Sequence, residues 1–315
     1  MLTAYPPPAD GSSLSQSVWI DMIDPTEAER LQFEKTFGLR VPAADELSEI
    51  EATSRLQTEN GALYMTAPLI FGISNGGWSA TPSGFVLAKH VLLTVRYGTT
   101  WSFDTVAKEM RGHARCEPVT AFACILEEII DHTADLLETS GKDLDDASHL
   151  IFRRNAGRTK RAHGTAMLRQ LMIRTGRTSE RMARIHYTLV CVDRMAKFTR
   201  DRDREWITQD VVSRLQSVSS DIASLVQFSE GLVSRVQLLQ DAATGIISID
   251  QNEVMKVLTI ASVVGIPPVL VVGIYGMNFK YMPELEWTWG YPFALALLVI
   301  SAMVPLIWFK WKDWI

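Results

Sequence analysis

The chain has 315 residues, of which 47% are hydrophobic and 21% charged, and its 36 acidic against 31 basic side chains leave a net charge of −5. Those proportions describe a protein that is mostly water-soluble, and the acidic surplus gives no electrostatic footprint for nucleic acid. The three cysteines, Cys116, Cys124 and Cys191, are odd in number and far apart, which argues against a disulfide framework and fits a reducing compartment.

In chain order, residues 1–17 are rich in Pro, Ser and Gly without a basic or an apolar region, so no secretory signal is expected and the N-terminal part should stay where it is made. Val18 to Ile20 is a short strand candidate. Asp24-Pro25-Thr26-Glu27 predicts a helix with aspartate as N-cap, proline at the first position and glutamate at the third, closed by Gly38. Arg55 to Thr58, the turn signal Asn60-Gly61 and Ala62 to Phe71 predict a hairpin, and Phe85 to Tyr97 is again rich in β-branched and aromatic residues. A small mixed α/β domain within residues 1–115, its elements starting at about residue 15, accounts for these signals. Pro118 opens a helical region, 116–205, that passes through Ile125, Ile129 and Leu136, breaks at Gly141, and resumes at Leu144, Leu150 and Ile151.

Residues 206–256 predict a long stalk helix. Val211, Leu215, Val218, Ile222, Leu225, Leu232, Val236, Leu239 and Ile246 follow a 4-3 spacing interrupted by Ser229 and Ala243, a coiled-coil-like seam. With no proline between Trp206 and Ile266, the helix should run unbroken into the apolar run beyond Lys256, a rod of roughly 100 Å that needs partners along its length. Residues 257–315 then read as a membrane hairpin. No charge lies between Lys256 and Lys280, so 257–276 forms one span and 290–309 the second, joined by a loop, Met277 to Trp289, too short to fold alone. Lys256, Lys310 and Lys312 flank one side, while the loop sets Lys280 against Glu284 and Glu286. The positive-inside rule then puts both termini, and a short tail, in the cytoplasm.

A second 4-3 register on the stalk helix joins Asp241, Gly245, Ser248, Asn252, Met255, Thr259, Ser262, Ile266, Val269, Gly273 and Gly276 on one face. Small residues allow transmembrane helices to pack closely, but Asp241 and Asn252 gain nothing from that and need water, an ion or a hydrogen-bond partner. A pore lining explains the stripe, and since one helix encloses nothing, a closed ring of identical subunits is expected. Asn278, at the outer end, suits a ring of amide oxygens binding the waters of a hydrated cation, since Mg2+ sheds its waters reluctantly and conduction needs weak binding. Asn278 also fits a helix C-cap in the left-handed conformation. Met255, Leu258 and Ile266 suit an apolar gate or ordinary packing equally.

For a membrane-anchored enzyme or sensor, the alternative from a different class, no glycine-rich phosphate loop or nucleophile elbow is present, and the six histidines are dispersed. No catalysis and no cofactor are expected. His113, Cys116 and Cys124 lack a fourth ligand at zinc-like spacing, and Arg153, Arg154, Arg158, Lys160 and Arg161 read as a solvated helix face.

Tyr275-Gly276-Met277-Asn278-Phe279, Met282-Pro283-Glu284-Leu285, Gly290-Tyr291-Pro292 and Asn252-Glu253-Val254-Met255-Lys256 together resemble the CorA family of divalent-cation transporters. Weaker likeness extends to Trp19-Ile20-Asp21, Glu49-Ile50-Glu51 with Ser54-Arg55, and His90 to Arg96. The resemblance implies an α+β fold: a mixed α/β cytoplasmic domain, a long helical stalk and a two-helix C-terminal transmembrane hairpin, assembled as a homopentamer in the cytoplasmic (inner) membrane. It implies Mg2+ as the substrate of a passive, potential-driven influx, with Co2+ and Ni2+ passing as similar hydrated ions. By the same likeness Tyr275, Gly276, Met277 and Asn278 form the signature and outer selectivity ring. Glu284, helped by Glu286, attracts cations, and Asp241, Asn252, Met255, Leu258, Thr259 and Gly273 line the path. Relatives carry on the stalk an aspartate that shares a regulatory Mg2+; this chain has Ser217 there, leaving Asp210 and Asp221 as nearby replacements for feedback closure by cytoplasmic Mg2+. The tail Lys310-Trp311-Lys312-Asp313-Trp314 is less basic than in some relatives. Zinc transporters of the same fold are the remaining alternative, although the path offers oxygen rather than the nitrogen and sulfur that zinc prefers.

Overall fold

The computed structural model describes residues 1–7, 14–48, 55–72, 78–98, 101–112, 117–153, 161–202, 204–278, 280–312 and 314. The chain divides into two units, Met1–Gln240 and Asp241–Ile315. The first holds a six-stranded sheet of β1 (Leu2–Tyr5), β2 (Trp19–Ile23), β3 (Leu56–Glu59), β4 (Ala62–Gly72), β5 (Trp78–Leu87) and β6 (Leu92–Arg96), in the order β1-β2-β6-β5-β4-β3. β2 and β6 pair in parallel, and the other neighbours in antiparallel fashion.

Alternation along the strands sends successive side chains to opposite faces. Ile20, Met22, Tyr64, Val86, Leu93 and Val95 form one core with Phe33 of α1 (Glu27–Phe37) and Leu47 of α2 (Ala44–Leu47). Their neighbours meet the long helices on the other face: Phe85 packs on Phe103 of α3 (Trp101–Gly112) and edge-on to Phe122 of α4 (Pro118–Arg153). From α5 (Arg161–Arg200), Thr188 donates to the Pro68 carbonyl at 2.9 Å and Thr199 to the Met65 sulfur at 3.3 Å.

On this second face lies a buried polar network. Arg96 grips Asp21 through Nε and Nη2 at 2.7–3.1 Å and donates Nη1 to the Gly98 carbonyl. Thr94 donates to Asp21 Oδ1 at 2.7 Å and accepts the Trp19 indole N–H at 3.0 Å. The guanidinium also lies 4.6 Å from the centre of the Phe103 ring, and both charged side chains are almost wholly buried. The Trp19-Ile20-Asp21 and His90 to Arg96 segments therefore meet as the parallel pair inside the sheet, its second and third strands.

Local signals decide most element ends. Asn60 and Gly61 both have positive φ, 49° and 81°, as the two-residue turn between β3 and β4 requires. Gly38 adopts φ 66° and ends α1 by donating its N–H to the Glu34 carbonyl. The aspartate expected to cap α1 does not. Thr26 is the N-cap: its hydroxyl accepts from the Glu29 N–H, and the Glu29 carboxylate accepts from the Thr26 N–H at 2.9 Å. This reciprocal box satisfies two otherwise unpaired donors, and the Thr26 N–H leads the effects that hold the Glu29 carboxyl below its ordinary pKa. Asp24 instead turns the chain at φ 45°. Thr26→Ala should lower the stability of the full-length protein by about 1 kcal/mol, read as a fall in the unfolding midpoint in detergent.

The stretch Phe85 to Tyr97 supplies the end of β5 and all of β6, reversed at Ala88–Val91 by an Ala88 N–H bond to the Val91 carbonyl. One further expectation changes. Gly141 does not break α4, which runs through it for 36 residues. Glycine costs a helix interior only about 1 kcal/mol relative to alanine, less than long-range packing supplies. That packing is against α6 (Gln209–Tyr275): a Cβ at Gly141 would lie 3.8 Å from the Leu232 side chain, an ordinary contact. Ion pairs Arg214–Glu127 and Arg235–Asp145 tie the same two helices. The 4-3 seam is accordingly buried at Val211, Leu215, Val218, Ile222, Ser229, Leu232, Val236 and Leu239 within one chain. At Leu232 the neighbour of the seam is α4 of the same chain.

The second unit consists of the rest of α6, a loop with a 3-10 turn at Pro283–Leu285, and α7 (Gly290–Trp311). Helix α6 is continuous for 67 residues and includes Pro267 and Pro268. The mixed α/β sheet domain, long helix and C-terminal apolar hairpin are the α+β architecture expected from the sequence.

Candidate functional site

Both α6 and α7 are long and apolar enough to cross a bilayer, and almost none of their apolar stretches is buried within the chain. Exposed hydrocarbon on this scale is stable in lipid and costly in water. Aromatic residues mark both ends of the hairpin: Tyr281, Trp287, Trp289 and Tyr291 are exposed at one, Trp308 and Trp311 at the other. The 17 residue steps from Tyr291 to Trp308 advance about 26 Å along a helix, near the thickness of a hydrocarbon core of about 30 Å. These belts are the usual interfacial anchors. Sequence reasoning passed over them, although aromatic enrichment just outside each apolar run is a readable signal. Phe309 stacks on Trp314 and returns the tail to the end of α7.

Each helix has one partly covered stripe. On α6 it comprises Ile260, Val264, Pro267, Pro268, Val271 and Tyr275; on α7, Ala294, Leu298, Ser301, Ala302, Pro305, Leu306 and Phe309. Such matching stripes are what two antiparallel helices of a hairpin present to each other. At about 100° per residue, Met255, Thr259, Ser262, Ile266, Val269, Gly273 and Gly276 centre on the opposite side of α6, half a turn from its covered stripe. All seven are exposed, and so are Asp241, Gly245, Ser248 and Asn252 further down the same register. Leu258 flanks them, also exposed. The small and polar residues therefore do not serve the packing of one span on the other. Thr259 donates its hydroxyl proton to the Met255 carbonyl at 2.8 Å, leaving the oxygen lone pairs outward. Along the outer half of this side an open groove of about 570 Å³ runs past Gly265, Ile266, Val269, Gly273 and Met277.

At the outer end, α6 stops at Tyr275. The Gly276 N–H bonds the Val272 carbonyl at 2.9 Å and the Met277 N–H the Ile274 carbonyl at 3.2 Å. A side chain on Gly276 would lie 3.1 Å from the Val272 oxygen, tight enough to favour glycine. Asn278 comes next as exposed, irregular backbone. It is not a left-handed cap, because the described non-glycine residues at positive φ are Asp24 and Asn60. The Val272 and Ile274 carbonyls at the helix end are thus paired by backbone N–H groups rather than by the Asn278 amide. Glu284, in the 3-10 turn, and Glu286 are both exposed in the loop.

The remaining candidates do not converge. Asp210, in the first turn of α6, and Asp221 are exposed and 11 residues apart, about 16 Å along the helix. Among the described residues no group of three or more His, Cys, Asp or Glu side chains is placed to hold a metal. Cys124 accepts a hydrogen bond from Arg214 Nη2 at 3.1 Å, so it belongs to the α4–α6 contact; the guanidinium pKa is raised there, first by Glu127. Burial pushes the Cys191 thiol pKa up. His113, Cys116 and most of the Arg153 to Arg161 cluster lie outside the described residues and side chains, as do Glu49, Ile50, Glu51 and Ser54.

Residues 15–311 match the family model described as CorA-like Mg2+ transporter protein. The magnesium transport protein CorA of Wolinella succinogenes is 30% identical over 309 residues, covering 96% of this chain and 92% of that protein. Among solved structures, the complete CorA magnesium transporter from Methanocaldococcus jannaschii is similar with a TM-score of 0.76 at 19% identity, covering 94% of this chain and 91% of that one. The full-length CmaX protein is similar with a TM-score of 0.68 at 16% identity, covering 94% and 88%. At those identities the structures speak for the fold.

Proposed function

The chain belongs to the CorA-like Mg2+ transporter family, and from that premise we propose that it carries hydrated Mg2+ passively into the cytoplasm as a ring of identical subunits, five by the family resemblance. The observation that carries this reading is the exposed stripe from Asp241 to Gly276, turned away from the chain's own second span. Small and oxygen-bearing side chains facing lipid gain nothing; facing copies of themselves around an axis, they line a wet path. Asn278 of each subunit forms the outer ring, and Tyr275, Gly276 and Met277 hold it at the mouth. Glu284 and Glu286 raise the local cation concentration. Both termini lie in the cytoplasm, with the hairpin in the inner membrane.

The four functional divisions are proposed as 1–115 for the α/β domain, 116–205 for the helical region, 206–256 for the stalk and 257–315 for the hairpin. Cobalt and nickel ions pass because a site that reads a hydration shell distinguishes similar shells poorly. Zinc is disfavoured by a path of oxygen donors, and catalysis by the lack of a recognisable reactive constellation in the sequence. No cofactor is required. Closure by cytoplasmic Mg2+ through Asp210 or Asp221 needs a carboxylate from a neighbouring subunit, because the two are too far apart to share an ion.

The test is Mg2+ uptake into proteoliposomes under an imposed potassium diffusion potential. A divalent ion gains about 4 to 5 kcal/mol per 100 mV, so uptake should rise with inside-negative potential and proceed without ATP or a proton gradient. Co2+ and Ni2+ should compete more strongly than Zn2+. Uptake that requires a proton gradient would overturn the reading.

A further inference from the structure

We propose that Gly290 is a positioning residue for cation capture: by lacking a side chain it lets the Glu284 turn dock on the first residue of α7, fixing the Glu284 carboxylate at the mouth of the path. A Cβ at Gly290 would overlap the Glu284 carbonyl oxygen and lie 3.2 Å from its carbon. Both are backbone atoms, which cannot swing aside as a flexible side chain does. Gly290 is buried although the loop residues around it are exposed, and its N–H is committed to the Trp287 carbonyl at 2.9 Å. The 3-10 turn Pro283–Leu285 touches α7 here, and Trp287 packs on Phe293 one turn into the helix. The loop between the spans is thus braced against α7 at a place only glycine fits. Its φ is not in the left-handed region, so the demand is for space rather than backbone freedom.

The consequence is electrostatic. Attraction between a carboxylate and a cation in water falls off over about 10 Å at 0.1 M salt, so a few ångströms of loop displacement at the mouth change capture. The inference rests on the proposed role of Glu284. It is tested in full-length protein in proteoliposomes by comparing Gly290→Ala, Glu284→Gln and the double variant for initial Mg2+ uptake against Mg2+ concentration and ionic strength. Both single variants should raise KM on the order of tenfold, with a much smaller fall in maximal rate. Both should also flatten the salt dependence at low Mg2+, and the double variant should be no worse than either.

If Glu284→Gln raises KM and Gly290→Ala does not, the positioning role fails and the attraction reading stands. If Glu284→Gln leaves KM and salt dependence untouched, the attraction reading fails and the inference with it. If Gly290→Ala lowers the maximal rate equally in both backgrounds, the glycine serves hairpin packing alone. Should Gly290→Ala not assemble, a glycine inserted between Thr288 and Trp289 frees the turn without a clash. That insertion must reproduce the Glu284→Gln phenotype, and wild-type KM in it overturns the proposal.

Discussion

Asn278→Ala is expected to abolish Mg2+ uptake while leaving expression, membrane insertion and assembly intact. The side chain is exposed beyond the end of α6, and the helix end is closed by Gly276 and Met277, so removing the amide costs the fold little. Its loss at the mouth is multiplied by the symmetry of the assembly. If each subunit gives up one net hydrogen bond of about 1 kcal/mol to the waters of the ion, the proposed ring of five forfeits about 5 kcal/mol, over a thousandfold in occupancy. Asn278→Asp should fail in the opposite manner. A ring of carboxylates binds the divalent ion tightly and slows its exit, so uptake should saturate at lower Mg2+ with a reduced maximal rate. Radioactive or fluorescent uptake assays on both variants, beside an imposed-voltage control, read the difference. Wild-type transport by Asn278→Ala would leave the hairpin as no more than an anchor.

The largest expected effect on stability is in the other unit. Asp21→Ala leaves the Arg96 guanidinium buried against Phe103 with its carboxylate partner gone, and also removes the acceptor of the Thr94 hydroxyl. Breaking a buried pair by removing one partner costs about 3–5 kcal/mol, against a total stability of about 5–15 kcal/mol for a domain. The variant should therefore lose yield and show a markedly lower unfolding midpoint. Asp21→Leu combined with Arg96→Met, which removes both charges, should recover much of the loss, because no charge is then left buried without a partner and only the neutral Thr94 hydroxyl and Gly98 carbonyl each lose a bond. If the single variant melts with the wild type, the network is not what ties β2 to β6. Since Asp21 and Arg96 join the parallel strands β2 and β6, this prediction also tests whether the sheet and the helices on its second face unfold together.

Much of the candidate site is legible in the sequence. The stripe from Asp241 to Gly276 is readable because helical periodicity is a property of spacing alone; its members are exposed, as is every residue from 251 to 259 whatever its face. Spacing leaves open the face that the second span covers. Val264 and Val271 are no more or less apolar than Ile266 and Val269, so composition does not say which group meets α7. The cap of α1 is ambiguous in the sequence because Asp24 and Thr26 are both good capping residues; the reach of Glu29 back to Thr26 decides between them, against the expected Asp24. The seam of α6 is visible in its spacing but its partner is not, since Leu232 and Gly141 are 91 residues apart and nothing local joins them.

By itself the sequence determined the two spans, the signature between them, the family and the small-polar face of the long helix, all of which depend on length, hydropathy and spacing within short stretches of chain. Only the tertiary structure decided that α4 meets the stalk at Leu232, that Asp21 and Arg96 meet inside the sheet, and that Gly290 lies under the Glu284 carbonyl. Those are contacts between atoms brought together by folding. Their energies come from steric fit and desolvation, which no periodic pattern records.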